Sequence, residues 1–87
     1  MANTMIVNIR LSAVLAQAAG VPRVALALPE SATVADTLAE LRRQFPQLAG
    51  RLATALPFVA GNHAAPTDVV TADAEVALLM PTAGGTT

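Results

Sequence analysis

Few side chains in this 87-residue chain can do chemistry. Cysteine is absent, which removes disulfides, thiolate metal sites and thiol nucleophiles together. His63 is the only histidine, the one side chain whose ordinary pKa lies near neutrality. A nucleophilic triad would need it to meet a hydroxyl and a carboxylate. Asp68 is near in sequence, but no nucleophile elbow accompanies it, so His63 reads as a solvent-exposed turn residue. One histidine and six acidic residues without ligand spacing define no metal site. Asp73 and Glu75 read as residues that solvate the turn before the last strand. The only Gly-Gly pair, Gly84-Gly85, has no helix after it, so it is no phosphate loop, and no bound cofactor is expected. What remains is that pair itself. Two residues without Cβ form a thin thread with wide backbone freedom. They follow closely on an apolar strand-like run, with Met80-Pro81 at its exit, where proline restrains the departing chain. A rigid body with such a thread suits the narrow active-site channel of another protein.

The elements that must hold this thread can be read from periodicity. Residues 5–11 alternate, with Asn8 and Arg10 on one face and Val7, Ile9 and Leu11 on the other, as in a strand. Ser12 to Ala19 forms a short helical segment that Gly20 stops. Residues 23–28 alternate again and pair with the first strand as an antiparallel hairpin. Thr33 is a good N-cap, with Asp36 at the capping-box position. Val34, Leu38, Leu41 and Phe45 then form the stripe of the main helix, and Pro46 closes it. A weaker helix is expected over residues 47–56, with Leu48, Leu52 and Leu56 as its stripe and Pro57 as its stop. Residues 58–60 read as a short strand and Gly61-Asn62-His63 as a turn. The run from Glu75 to Met80 is dry on both faces, which marks a central strand. Strands at both ends with a helix between them predict an α+β domain, a mixed sheet packed on one main helix. The first and last strands are the candidates for its centre.

Composition agrees with a single domain. Hydrophobic residues make up 54% of the chain, enough for a core, although alanine supplies much of that share. Lysine is absent, the five arginines are scattered and the net charge is -1. That offers no basic stripe for nucleic acid, and an aromatic content of 2% offers no platform for stacking bases. No apolar run approaches the roughly 20 residues of a membrane-spanning helix. A cytoplasmic location is therefore expected, without nucleic-acid or membrane partners.

The ending Asp73-Ala74-Glu75-Val76-Ala77-Leu78-Leu79-Met80-Pro81-Thr82-Ala83-Gly84-Gly85 resembles that of the MoaD/ThiS family of ubiquitin-like sulfur carriers, which includes the small subunit of molybdopterin synthase. The opening strand, the Gly20 turn, the Thr33-Val34-Ala35-Asp36-Thr37-Leu38 helix start and Asn62 after Phe58-Val59-Ala60 fit the same pattern. The resemblance implies a β-grasp domain over residues 1–81 and a flexible tail over 82–87. It also implies a carrier or cosubstrate, not an enzyme. A separate activating enzyme would use ATP to adenylate the carboxylate of Gly85, with Gly84 as its slender support. A persulfide would convert the adenylate to a thiocarboxylate, which delivers sulfide to a sulfur-accepting synthase. The missing cysteine fits, because the sulfur rides on the backbone terminus.

One departure bears on that chemistry. Family members end at Gly-Gly, whereas Gly85 here is followed by Thr86 and Thr87. An amide cannot be adenylated as a carboxylate can, so the bond between Gly85 and Thr86 is the expected processing site. Related carriers suggest a zinc-dependent, JAMM-type metallopeptidase that supplies a metal-activated water. Partner docking is expected on an apolar sheet face that includes Phe58 and Leu79, with Met80 either there or in the core. Arg42, Arg43 or Arg51 would add polar contacts at its rim. Two other functions use the same features: a ubiquitin-like modifier conjugated through Gly85 to lysine amines, and a β-grasp binding module whose tail does not react.

Overall fold

A computed structural model describes residues 3–81. In β1 (Thr4–Leu11) every second residue is buried, so Met5, Val7, Ile9 and Leu11 enter the core. Thr4, Ile6, Asn8 and Arg10 face outward, as the period of two requires. The helix α1 (Ala13–Ala19) follows and buries Leu15. It ends at Gly20, whose left-handed backbone (φ 86°) lets its amide donate to the Ala16 carbonyl at 2.8 Å. The chain then returns as β2 (Arg23–Pro29), antiparallel to β1 from Arg10↔Arg23 to Thr4↔Pro29.

The main helix α2 (Val34–Gln44) opens on the expected capping box. The Asp36 amide donates to the Thr33 hydroxyl oxygen at 3.2 Å, and the Thr33 amide donates to the Asp36 carboxylate at 3.0 Å. Val34 and Leu41 are buried, with Leu38 and Phe45 packed partly against the core. Thr37 is buried as well, a polar residue the apolar stripe did not include. Its hydroxyl donates to the Thr33 carbonyl at 2.9 Å, which satisfies it internally.

The segment after α2 departs from expectation. The helix foreseen over 47–56 is a 3₁₀ turn (Pro46–Leu48) followed by a single turn, α3 (Ala49–Leu52). Leu48 and Leu52 are buried, but Leu56 is exposed and begins β3 (Leu56–Val59). Pro57 does not stop a helix; it is buried inside β3. Its carbonyl accepts the Ala64 amide at 2.9 Å, so its donor-less nitrogen faces that side too and removes no hydrogen bond to the strand across. Residues 61–63 also differ from a simple turn: Asn62–His63 form β4, paired with β3. The loop is only Ala60-Gly61, both at positive φ (53° and 83°), as a two-residue hairpin loop demands.

The last strand, β5 (Val76–Leu79), lies third in the order β2-β1-β5-β3-β4. It runs parallel to β1 and antiparallel to β3. The first and last strands therefore do form the sheet interior. Val76, Ala77 and Leu78 are all buried. One face of the sheet meets Leu15, Val34, Leu41, Leu48 and Leu52 in one core; the other stays open. This mixed sheet with helices on one face is the α+β, β-grasp arrangement.

Candidate functional site

The site begins at the end of β5. Leu78 is fully buried and its carbonyl accepts the Ser12 amide at 3.0 Å. Leu11↔Leu78 on one side and Leu56↔Leu79 on the other hold the strand between β1 and β3. Met80 is partly buried and packs against the core, and Pro81 is exposed. The chain thus leaves from the middle of the sheet, between the start of α1 and the start of β3. Gly84, Gly85 and Thr86, with the rest of the expected tail at 82–87, lie outside the described residues.

Strand register decides what the open face presents. Arg23, Arg10, Ala77, Phe58 and His63 stand in one row across all five strands. Leu79 and Leu56 follow on the side nearer the exit. Arg10, Phe58, Ala60, Gly61, Glu75, Ala77 and Leu79 line a shallow hollow of about 330 Å³. The Phe58 ring is half-buried and meets the His63 ring edge-on, with centroids 5.4 Å apart. His63 is exposed on β4, and its neighbour in the row is this aromatic ring. Asp68 accepts the Ala65 amide at 2.8 Å and so holds its own turn. Among the described residues no group of three or more His, Asp or Glu is placed to hold a metal ion, and no helix is long and apolar enough to cross a membrane.

The structure therefore brings Phe58 and Leu79 together, joined by Leu56 and Ala77, and turns Met80 toward the core. Arg42 and Arg43 lie elsewhere. Because α2 sets Val34, Thr37 and Leu41 against the sheet, these arginines point away from it on the helical side. Arg43 donates to Glu40 (Nε to Oε1, 3.0 Å), as does Gln44 at 2.8 Å. The Arg43 and then the Gln44 hydrogen bonds hold the Glu40 carboxyl down at about 2, while Glu40 raises the Arg43 guanidinium above its ordinary value. Arg51 is exposed on α3, also among the helices. The cations beside the apolar face are Arg10 and Arg23 instead. Alternation along β1 already put Arg10 on the wet face; its position beside both Arg23 and Ala77 depends on register, which no local pattern carries.

No protein-family profile matches the chain, and no curated protein sequence matches it. Solved structures do. Small archaeal modifier protein 1 from Haloferax volcanii is 30% identical over 95% of this chain and 100% of that one, with a TM-score of 0.82. A second structure of that modifier gives a TM-score of 0.83 at 28% identity, covering 90% of this chain and 99% of the other. A protein described as molybdopterin converting factor subunit 1 from Pyrococcus furiosus gives a TM-score of 0.81 over 90% of this chain and 99% of its own, at 21% identity, a likeness of fold alone. With 30% identity over the whole length of one modifier, and a fold shared with all three neighbours, the chain belongs to the MoaD/ThiS-like family of ubiquitin-like β-grasp proteins.

Proposed function

We propose that this chain is a sulfur carrier whose reactive group is the carboxylate of Gly85. The observation that carries the reading is Gly84-Gly85 a few residues beyond a buried central strand, beside an open apolar face. Hydrolysis of the amide between Gly85 and Thr86, by a JAMM-type or similar metallopeptidase, frees the carboxylate. On a partner activating enzyme, a carboxylate oxygen attacks the α-phosphorus of ATP and pyrophosphate leaves. A persulfide sulfur then attacks the acyl carbon and displaces AMP. A second thiol cleaves the resulting acyl disulfide, leaving a thiocarboxylate on Gly85 and a disulfide on the enzyme. The thiocarboxylate donates sulfide to a synthase. Neither ATP nor any other cofactor resides on the carrier.

The docking face in this reading comprises Phe58, Leu79, Leu56 and Ala77, with the partly buried Met80 beneath the exit. Gly85 is the fourth residue beyond Pro81, so its carboxyl reaches at most about 14 Å beyond Pro81. A partner's catalytic pocket must open within that distance of the surface it docks on. Mass spectrometry of protein from the native host tests the chemistry. The expected species ends at Gly85 with one carboxyl oxygen replaced by sulfur; a thiocarboxylated species still carrying both threonines would refute the processing step.

A second reading is favoured by the 30% identity with a protein named as a modifier. The same activated Gly85 would then form an amide with a lysine amine of a target. Denaturing gels of tagged protein separate the two, since high-mass conjugates stable to thiol reagents belong to the modifier alone.

A further inference from the structure

The open sheet face carries an arrangement that folding alone disfavours. Arg10 on β1 and Arg23 on β2 stand directly opposite each other. In the next rung the Leu11 amide donates to the Pro22 carbonyl at 2.9 Å, so that rung is the hydrogen-bonded type, with one bond because proline has no amide to donate. The Arg10–Arg23 rung is then a non-hydrogen-bonded one, the type that brings side chains closest. Like charges at such a place destabilise a sheet. These are two of only five cations in the chain. Among the described residues the one ion pair is Arg43 with Glu40, on the helical side, so neither Arg10 nor Arg23 is neutralised by one. Glu75 lines the same hollow as Arg10 but forms no ion pair with it. A departure from good local design of this kind is expected where a surface serves a purpose other than folding.

We propose that Arg10 and Arg23 form a clamp for a carboxylate side chain of the protein that acts on the tail. The partner's neighbouring apolar side chain would fill the hollow over Phe58, Ala77 and Leu79. The inference rests on reading the chain as a carrier that docks by its open sheet face, and it names the partner's chemistry there: an acidic residue beside an apolar one, near the mouth of its active-site channel. Guanidinium forks match a carboxylate in a two-point hydrogen bond, and two adjacent forks suit a carboxylate better than either suits the other. The clamp shares its row with Ala77, two residues before Leu79, so a partner seated on it is already close to the tail. A polyanion is a poorer fit, because two cations next to Glu75 and apolar side chains make no extended basic track.

The test compares the chain ending at Gly85 with its R10Q/R23Q and F58A variants. The readouts are ATP–pyrophosphate exchange by the activating enzyme of the native host and thermal melting. Each glutamine keeps a polar, hydrogen-bonding end on a shorter side chain and removes the charge. The clamp predicts a KM for the double variant raised about tenfold or more, with kcat within about twofold. It also predicts that the parent's KM rises with salt more steeply than the variant's. The melting temperature should hold or rise, because the repulsion is gone. An unchanged KM in R10Q/R23Q beside a raised KM in F58A overturns the clamp and leaves the docking face standing. An unchanged KM in both overturns the docking face, and the clamp with it. A lower melting temperature in R10Q/R23Q assigns the pair to stability and overturns the clamp. If the parent itself supports no exchange, the carrier reading falls and takes the clamp with it.

Discussion

Leu78 and Leu79 are adjacent, yet their replacement should fail in different ways. Leu78 is fully buried on the helical side of the sheet, while Leu79 is 40% exposed on the open side. Leu78→Ala removes a core side chain from the central strand, where neighbours on β1 and β3 hold the backbone and limit collapse into the space. Such changes cost about 3–5 kcal/mol. A domain of this length has roughly 4–13 kcal/mol to lose. At about 4–8 °C per kcal/mol, the melting temperature should fall by about 12–40 °C. Full burial of a leucine contributes only about 1.5–3 kcal/mol, and Leu79 has part of that. Leu79→Ala should therefore cost about 1 kcal/mol and move the melting temperature by less than about 8 °C. In the proposed carrier role its effect belongs to docking: loss of one apolar contact of about 1 kcal/mol should raise the KM of the activating enzyme for this chain roughly fivefold. Circular dichroism melts and pyrophosphate exchange on both variants check this. Equal melting shifts would refute the two-faced account of β5, as would an unchanged KM in Leu79→Ala.

Three further outcomes follow from local geometry. Thr33→Ala and Asp36→Ala should each destabilise by about 1 kcal/mol in urea melts, and the double variant should lose less than the sum, because the two hydrogen bonds are reciprocal. Ala60 occupies a positive φ that suits asparagine or glycine better, so Ala60→Asn, which creates an Asn-Gly loop, should raise stability by about 0.5–1 kcal/mol. The Glu40 carboxyl is held at about 2 in the folded chain, against an ordinary 4.5. A depressed carboxyl favours folding above its unfolded value and loses that contribution as pH falls through the folded one. The stability difference between the parent and Glu40→Gln should be present at neutral pH and vanish between about pH 4.5 and 2, and salt should shrink it because the pair is at the surface.

Local order was legible wherever one period dominated. The alternation in β1 and β2 and the stripe of α2 each extend over several residues, and the capping box lies in four consecutive ones. Leu48, Leu52 and Leu56 misled because three apolar residues at spacing four match a helix as well as anything else. Leu56 belongs to a strand because β5 is there to pair with it, and that partner lies over twenty residues away. Pro57 then looked like a stop, when its missing donor merely faces the side that β5 does not use. β4, with two residues, is too short to have a period at all. At the site, Phe58 and Leu79 are recognisable as candidates for an apolar face, but Arg42, Arg43 or Arg51 as their polar rim rests on charge alone. Which cations border that face depends on register across three strands, and hence on the whole sheet.

The position of β5 also sets how the domain bears load. Its carboxyl end leads into the tail, while the start of β1, its parallel neighbour, leads back to the amino terminus. Tension applied between the two ends acts along the strands, so the rungs to β1 must fail together in shear rather than one after another. Pulling on the tail alone loads the ladders on both sides of β5 at once. Resistance to such pulling is governed by an unfolding rate, not by equilibrium stability. In the proposed carrier role, such anchorage would let a partner pull on the tail while the body that carries it stays folded.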